Sequence, residues 1–316
     1  MLRLGFFALA GAMLVGCSSA SSASGVGAAS TTEDAGASGD AGATVDPGPS
    51  PLVQARPYAL KEPSSYDRSV PAPLVIGLHG YGDGDNADAF EAWLKLAPVA
   101  AARGYLYALP SGTLDRMKLP FWNATDACCN FYKSKVDDVA YISAVIDDVA
   151  RTHALDRARV YVVGVSGGAI MAHRLACDLS DKIAAIFSVS GATYADASKC
   201  KPTSPVSVVE LHGDADDTVV YDGGTSRETG ASYPGARDTI AHWKSYDGCV
   251  GELKERKTLD LESSVAGAET HVESYDTCVG GSVELWTAKG GPHAPRFTSS
   301  FTGAVFDWLA DHPKAK

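Results

Sequence analysis

The sequence GVSGG at residues 164–168 has the residue types and spacing of a serine nucleophile. It follows a hydrophobic run typical of a strand and precedes a run typical of a helix, which is the context that makes G-x-S-x-G a nucleophile elbow. The tight turn forces unusual backbone angles on the serine, so its neighbours must be small. A glycine-rich turn with an ordinary serine is the alternative. We predict that Ser166 attacks an acyl carbon.

A serine nucleophile needs a base, and the base needs an acid that orients it. The run VSVVELHG (206–213) reads as a strand, and an acidic loop follows it. Because an acid at the carboxyl end of a strand suits this role, we predict Asp216 as the triad acid, with Asp214 and Asp217 as alternatives. A calcium site that adds Asp222 is a weaker hypothesis, since the EF-hand spacing is absent.

Four histidines follow Asp216, and their surroundings differ. His242 lies within a helical run, His271 lies in a strand-like run, and His312 ends the last helix, where a cation suits the helix dipole. His293 lies in the loop between the last strand and the last helix. A loop there can bring an imidazole back over the serine, so we predict His293 as the base.

Two backbone N–H groups are expected to stabilise the oxyanion that forms during acyl transfer. The Gly167 N–H follows the nucleophile directly, and the second donor should come from the loop after an early strand. The sequence LHGYG (78–82) occupies that place, and Tyr81 N–H is the candidate. We expect His79 to pack or hydrogen-bond within this loop rather than to transfer protons. This chemistry requires no metal and no organic cofactor.

These candidates lie at the ends of strands that alternate with helices along the chain. Hydrophobic patterning predicts six strands, at residues 73–80, 104–110, 158–166, 183–191, 206–213 and 282–291. It predicts five helices, at residues 88–103, 136–151, 170–179, 238–246 and 300–312. Such alternation favours right-handed βαβ units. We therefore predict an α/β fold with a mainly parallel central sheet and helices on both faces.

Composition limits the classes of partner. The chain has 316 residues, of which 45% are apolar and 21% charged, as in ordinary globular proteins. A net charge of −11 argues against nucleic-acid binding and against electrostatic docking on anionic lipid. The expected partner is a small-molecule or polymeric ester, and we expect the protein to be a monomer.

The N-terminal residues resemble an export signal. Residues 1–17 combine an early arginine, an apolar stretch too short to span a bilayer, and LVGC, which resembles a bacterial lipobox with Cys17 as the acylated residue. An ordinary signal peptide with an incidental cysteine is the alternative. Residues 18–50 are rich in Ser, Ala and Gly, which predicts a flexible tether. The catalytic domain should cover residues 51–316, in an extracytoplasmic or lipid-anchored protein.

Six cysteines remain beside Cys17, an even number that is consistent with disulfides in an oxidising compartment. We favour Cys177–Cys200 and Cys249–Cys278, because each pair closes a modest loop. Cys128 and Cys129 would then form a vicinal pair or stay as free thiols. A zinc site is weakly supported, since no C-x-x-C or H-x-x-x-H spacing occurs.

Together these features resemble the extracellular feruloyl/acetylxylan esterase and polyhydroxybutyrate depolymerase family of α/β-hydrolases. The segments that carry the resemblance are LHGYGDG (78–84), FWNATDACCN (121–130), VDDVAYI (136–142), DRARVYVVGVSGGAIMAHRLAC (156–177), LHGDADDTVVYDGG (211–224) and GGPH (290–293). By position, the resemblance makes Ser166, Asp216 and His293 the triad, with Tyr81 and Gly167 in the oxyanion places.

The chain departs from this family beside the base. The family commonly has Gly before its catalytic histidine and Trp-Pro shortly after, whereas here Pro292 precedes His293 and Ala294-Pro295 follow. The missing Trp would line the cleft. Trp122 and Tyr221 are candidate aromatic wall residues, although core packing is the favoured role for each.

The resemblance implies a serine ester hydrolase of feruloyl or acetyl esters of plant polysaccharide. A hydroxyalkanoate polyester depolymerase is the alternative, and a non-catalytic surface-binding lipoprotein is a minor one.

Overall fold

The computed structural model describes residue 46, residues 48–82 and residues 84–314. The chain divides after Pro47, and the fold described here is that of the unit Gly48–Lys316. The predicted signal peptide, the predicted lipidation site Cys17 and nearly all of the predicted tether lie outside the described residues. Among the described residues, no helix combines the length and apolar character that a membrane span requires.

Strands and helices alternate through most of the domain. The described strands are β1 (Ala59–Lys61), β2 (Ala72–Leu78), β3 (Leu106–Leu109), β4 (Thr113–Leu114), β5 (Pro120–Phe121), β6 (Leu155–Val165), β7 (Ala185–Val189), β8 (Ser207–Gly213), β9 (Gly223–Thr225), β10 (Ser232–Pro234), β11 (Lys254–Leu259), β12 (Thr270–Ser274) and β13 (Val283–Ala288). The described α-helices are α1 (Pro51–Ala55), α2 (Ala87–Leu94), α3 (Leu96–Ala102), α4 (Asp138–Thr152), α5 (Gly167–Asp178), α6 (Ala236–Tyr246) and α7 (Phe301–Ala310).

The main sheet of the described residues has nine strands in the order β1-β3-β2-β6-β7-β8-β13-β12-β11. The six from β3 to β13 pair in parallel, while β1, β12 and β11 are antiparallel at the edges. Strands β2, β7 and β8 are buried along their whole length, because helices cover both faces of a parallel sheet. The predicted α/β fold with a mainly parallel sheet is confirmed.

Two hydrophobic clusters lie on the two sides of the sheet. One contains residues of α4, α5 and α6, such as Ile142, Leu175 and Ile240. The other contains residues of α2, α3 and α7, such as Phe90 and Phe306. Because the six central strands are parallel, their carboxyl ends all lie at one edge of the sheet. The segments that follow β2, β6, β8 and β13 meet at this edge.

The predicted helix at residues 88–103 is wrong as a single element. Lys95 has φ 54°, a left-handed conformation, and separates α2 from α3. Its backbone N–H donates to Glu91 O and so ends α2. The edge strand β11 was not predicted either, since its sequence KERKTL is almost wholly exposed and carries no hydrophobic pattern.

Three disulfides are present in the described part of the chain. Cys177–Cys200 joins the end of α5 to the segment after β7, and Cys249–Cys278 joins the segments after α6 and β12. The third links the neighbours Cys128 and Cys129.

Candidate active site

Ser166 lies in the turn between β6 and α5. Its backbone has φ 51° and ψ −119°, and its N–H donates to Val189 O at 2.9 Å. A side chain on Gly164 would overlap with the Gly168 backbone across the turn, and one on Gly168 would overlap with the carbonyl oxygens of Leu78 and His79. Glycine is therefore required at 164 because the turn at Ser166 folds the chain back on itself, and at 168 because α5 begins against the end of β2.

The three predicted catalytic residues lie in series. Ser166 Oγ is 3.0 Å from His293 Nε2, and His293 Nδ1 is 2.7 Å from Asp216 Oδ2. The His293 loop is held by Ser190 Oγ, which donates to the His293 carbonyl oxygen at 3.2 Å. A carboxylate on Nδ1 fixes the tautomer in which Nδ1 carries the proton and Nε2 faces the serine hydroxyl.

The Asp216 carboxylate is fully buried and receives hydrogen bonds at both oxygens. Oδ1 accepts from the Thr218 and Val219 N–H groups at 2.8 and 2.9 Å. Oδ2 lies between His293 and a second histidine, His212, whose Nε2 is 3.3 Å away. Burial by itself raises the pKa of Asp216, but the hydrogen bonds with His212 and His293 outweigh it and hold the pKa well below its usual range.

The predicted oxyanion donors lie beside the serine. Gly167 is the first residue of α5, so its N–H has no partner within the helix. A Cβ on Gly167 would be 3.4 Å from Tyr81 N, which places the Tyr81 backbone against the start of α5. The Tyr81 hydroxyl donates to Asp115 Oδ2 at 2.8 Å and anchors this loop.

His79 supports the loop from within the core. Its Nε2 accepts from Gly112 N–H at 2.9 Å, so its Nδ1 carries the proton and donates to Gly80 O at 2.7 Å. Burial lowers the pKa of His79 to about 4. His79 therefore hydrogen-bonds the loop as a neutral side chain.

A cleft of about 800 Å³ opens at Ser166. Its lining includes the vicinal cysteines, the aromatic pair Phe131 and Tyr132, and Tyr233 from the β9–β10 hairpin. Cys129 Sγ would be 2.7 Å from a Cβ on Gly167, so the vicinal disulfide packs directly against the oxyanion residue.

Trp122 and Tyr221, the candidate wall residues, do not line the cleft. Trp122 is fully buried, and its indole N–H donates to His79 O at 2.9 Å, so it supports the loop from the core. Tyr221 lies outside the cleft lining. Its hydroxyl forms a hydrogen bond with Thr287 Oγ1 at 2.7 Å, and its ring packs edge-on against the His212 ring, with 5.7 Å between the centroids. The aromatic lining instead comes from the segment after the vicinal cysteines, which is neither strand nor helix, and from the short strand β10.

The alternative candidates for acid and base are engaged elsewhere. Asp214 Oδ1 accepts from Gly290 N–H at 2.6 Å, and Asp217 accepts from the Thr218 hydroxyl. His271 pairs with Glu255 at the β11–β12 edge, and His312 Nδ1 bonds the carbonyl oxygen of Trp308. Within the described residues, no group of three or more His, Cys, Asp or Glu side chains has the geometry of a metal site.

Comparison with known proteins identifies the relatives of this chain. Residues 57–256 match a family model described as esterase PHB depolymerase. The chain is 28% identical over 246 residues to feruloyl esterase B of Piromyces equi, an alignment that covers 76% of this chain and 42% of that enzyme. It is 31% identical over 243 residues to NocK of Nocardia uniformis subsp. tsuyamanensis, named as an esterase, covering 74% and 68%.

A third relative has a different named substrate. The poly(3-hydroxyalkanoate) depolymerase C of Paucimonas lemoignei is 24% identical over 241 residues, covering 73% of this chain and 54% of that protein. The alignments thus span about half the length of the Piromyces and Paucimonas enzymes.

Solved structures share the fold. An acetyl xylan esterase from Aspergillus awamori superposes with a TM-score of 0.56 at 15% identity, covering 80% of this chain and 93% of that one. Esterase PE8 gives 0.50, also at 15% identity, covering 80% and 97%.

Proposed function

The chain belongs to the esterase PHB depolymerase family and is a carboxylic ester hydrolase, and from this premise we propose that it acts through a Ser166-His293-Asp216 triad on feruloyl or acetyl esters of plant polysaccharide. The observation that carries the proposal is the hydrogen-bonded series from Ser166 Oγ through His293 to Asp216, at 3.0 and 2.7 Å. This series has the order and the tautomer that a serine hydrolase requires.

In the first step, His293 Nε2 accepts the proton of Ser166 Oγ as the oxygen attacks the ester carbonyl carbon. The carbonyl oxygen becomes negatively charged, and the backbone N–H groups of Gly167 and Tyr81 donate to it. Asp216 stabilises the imidazolium that forms. When the tetrahedral intermediate collapses, the ester C–O bond breaks and His293 returns its proton to the leaving alcohol, which gives an acyl-enzyme.

In the second step, water replaces the alcohol. His293 takes a proton from the water as its oxygen attacks the acyl carbon, and the same two amides bind the second oxyanion. Collapse releases the carboxylic acid, and His293 returns the proton to Ser166 Oγ. Every proton movement uses one nitrogen, His293 Nε2.

The cleft supports a flat acyl group as substrate. Phe131, Tyr132 and Tyr233 present aromatic rings to the cleft at Ser166, and aromatic rings stack favourably on other aromatic rings. A feruloyl ring fits such a wall. A relative named feruloyl esterase B supports the same substrate class.

A hydroxyalkanoate polyester is the second candidate. The relative named poly(3-hydroxyalkanoate) depolymerase C favours it. The same catalytic steps would cleave an ester between two hydroxyalkanoate units, so only the cleft walls decide between the substrates.

We further propose that the protein is exported and held at the envelope by a lipid on Cys17. The lipobox-like LVGC sequence motivates the anchor, and the three disulfides support an oxidising compartment. Mass spectrometry of the N-terminal peptide from membranes would test this, since an unmodified Cys17 contradicts the anchor.

The substrate is tested with a panel of methyl ferulate, acetylated xylan, hydroxybutyrate oligomers and short p-nitrophenyl esters. We expect the highest kcat/KM on the feruloyl or acetyl-sugar esters, and labelling of Ser166 by a fluorophosphonate. Ser166→Ala should abolish both, whereas Ser245→Ala, at an exposed position on α6, should leave both unchanged. Full turnover by Ser166→Ala would refute the triad, and preference for hydroxybutyrate oligomers would select the second candidate.

A further inference from the structure

A second histidine touches the acid of the triad and has no role in the steps above. His212 is the penultimate residue of β8 and is 1% exposed. Its Nε2 lies 3.3 Å from Asp216 Oδ2, the same oxygen that faces His293. One carboxylate oxygen therefore stands between two imidazoles, only one of which contacts the serine.

All the close partners of His212 are acceptors. Nε2 faces the Val219 carbonyl oxygen at 2.7 Å as well as Asp216. Nδ1 faces Glu210 Oε1 at 2.9 Å. A neutral imidazole has one N–H and one lone pair, so it could satisfy only one side. A doubly protonated ring satisfies both sides.

Glu210 has the surroundings of an ionised carboxylate. Oε1 accepts from Gly191 N–H at 2.8 Å and from His212, and Oε2 lies 2.9 Å from His173 Nε2. The indole N–H of Trp243, which can only donate, points at His173 Nδ1 at 2.9 Å. His173 Nε2 therefore carries a proton and donates to Glu210. Each oxygen of Glu210 thus accepts from a donor other than His212, and hydrogen bonds to both oxygens stabilise the ionised carboxylate.

The electrostatics agree with this assignment of protons. Burial lowers the pKa of His212, but hydrogen bonds with Asp216 and Glu210 outweigh burial and raise the pKa overall. Burial raises the pKa of Glu210, but hydrogen bonds from His173 and His212 bring it below its ordinary value. Glu210 and His212 thus form a buried ion pair that reaches the triad acid.

We propose that His212 is a positioning residue of the triad, a buried imidazolium held by Glu210 that fixes the Asp216 carboxylate in its orientation toward His293. This inference rests on the proposed function of Ser166, His293 and Asp216. His212 acts through Asp216 and touches neither the serine nor the acyl group.

The positive charge has a consequence for the triad acid. His212 and His293 face the same oxygen of Asp216, Oδ2. A cation at His212 therefore helps to hold this carboxylate ionised and in place as the acceptor for His293 Nδ1.

The first test is His212→Gln, read through separate values of kcat and KM on a p-nitrophenyl ester. We expect kcat to fall about 10- to 100-fold while KM stays within about threefold, because the acid loses its fixed orientation and the ester still binds. His271→Gln is the matched control, since it removes a histidine–glutamate pair at the β11–β12 edge, and its kcat and KM should coincide with wild type. An unchanged kcat in His212→Gln, or a loss carried by KM alone, overturns the proposal.

The second test uses the wild-type protein and does not depend on folding of a variant or on turnover. In ¹⁵N-histidine NMR, His212 should show two protonated ring nitrogens between pH 6 and 8. A neutral tautomer of His212 at pH 7 overturns the proposal. If the wild-type protein hydrolyses no ester in the panel, the proposed function fails, while this measurement still decides the state of His212.

Discussion

Replacement of Asp216 by asparagine tests the acid of the triad with almost no change in volume. The carboxylate meets donors on both oxygens: His293 and His212 at Oδ2, and two backbone N–H groups at Oδ1. An amide has one oxygen and one NH₂ group, so in either orientation its NH₂ opposes two donors. No rotation of the side chain restores the native hydrogen bonds.

The two orientations have different costs. If NH₂ faces the backbone, Thr218 and Val219 lose their acceptor, and leaving buried donors unpaired costs about 1–3 kcal/mol of unfolding free energy. If NH₂ faces His293, the ring is driven to the tautomer with its proton on Nε2, which cannot accept the proton of Ser166. Loss of the orienting carboxylate in a serine triad lowers kcat about 10⁴-fold.

The assay is steady-state hydrolysis of p-nitrophenyl acetate at pH 8, with circular dichroism to verify folding. We expect kcat of Asp216→Asn to fall by about 10³- to 10⁴-fold. Asp217→Asn is the matched control, since this exposed neighbour bonds only the Thr218 hydroxyl among the described residues, and it should stay within about twofold of wild type. If Asp217→Asn is the variant that loses activity, the acid of the triad is wrongly assigned.

Two further predictions concern residues around the site and in the core. Gly167→Ala places a Cβ 2.7 Å from Cys129 Sγ and 3.4 Å from Tyr81 N, so we expect kcat to fall about 10²-fold as an oxyanion donor moves. Gly303→Ala, in open space on α7, is the control and should be fully active. Equal activity of the two variants would contradict the packing argument. Burial raises the pKa of Asp247 to about 7, so the folded state holds its proton where the unfolded chain has released it, and wild type loses stability as pH rises from about 4 to 7. Asp247→Asn should therefore raise the free energy of unfolding by about 2–4 kcal/mol at pH 8 and change it little at pH 4, and urea unfolding that shows the same difference at both pH values would falsify this.

The centre of the sheet could be predicted from sequence because its strands are continuous aliphatic runs, a pattern that only a doubly covered parallel sheet explains. The edges could not, since KERKTL of β11 is exposed and alternates no apolar residues. The break at Lys95 had one available signal, Pro98 inside the predicted helix. Proline is tolerated in the first turn of a helix and disfavoured further in, so it indicates that a new helix begins close before it.

The candidate catalytic residues could be predicted because each lies in a loop directly after a strand that patterning identifies. His212 and Glu210 lie inside such a strand, where they read as interruptions of a hydrophobic run. The usable signal is their spacing of two, which puts both side chains on one face of a buried strand. A buried titratable side chain requires a hydrogen-bonding or charged partner. Glu210 and His212 are partners of each other, and Asp216 is the further partner of His212.

The aromatic side chains that line the cleft come from other segments of the chain than the candidate catalytic residues. Trp93 N–H donates to Pro295 O at 3.0 Å, and the loop after His293 supplies no ring to the lining of the cleft. The rings come instead from Phe131 and Tyr132, which directly follow the disulfide-linked cysteines. Because Cys129 packs on Gly167, the segment proposed to contact the acyl group also abuts a proposed donor to the oxyanion. A change in that wall should therefore alter kcat together with KM, whereas a change at Tyr233 of β10, whose hydroxyl accepts from Val220 N–H at 3.2 Å, should alter mainly KM.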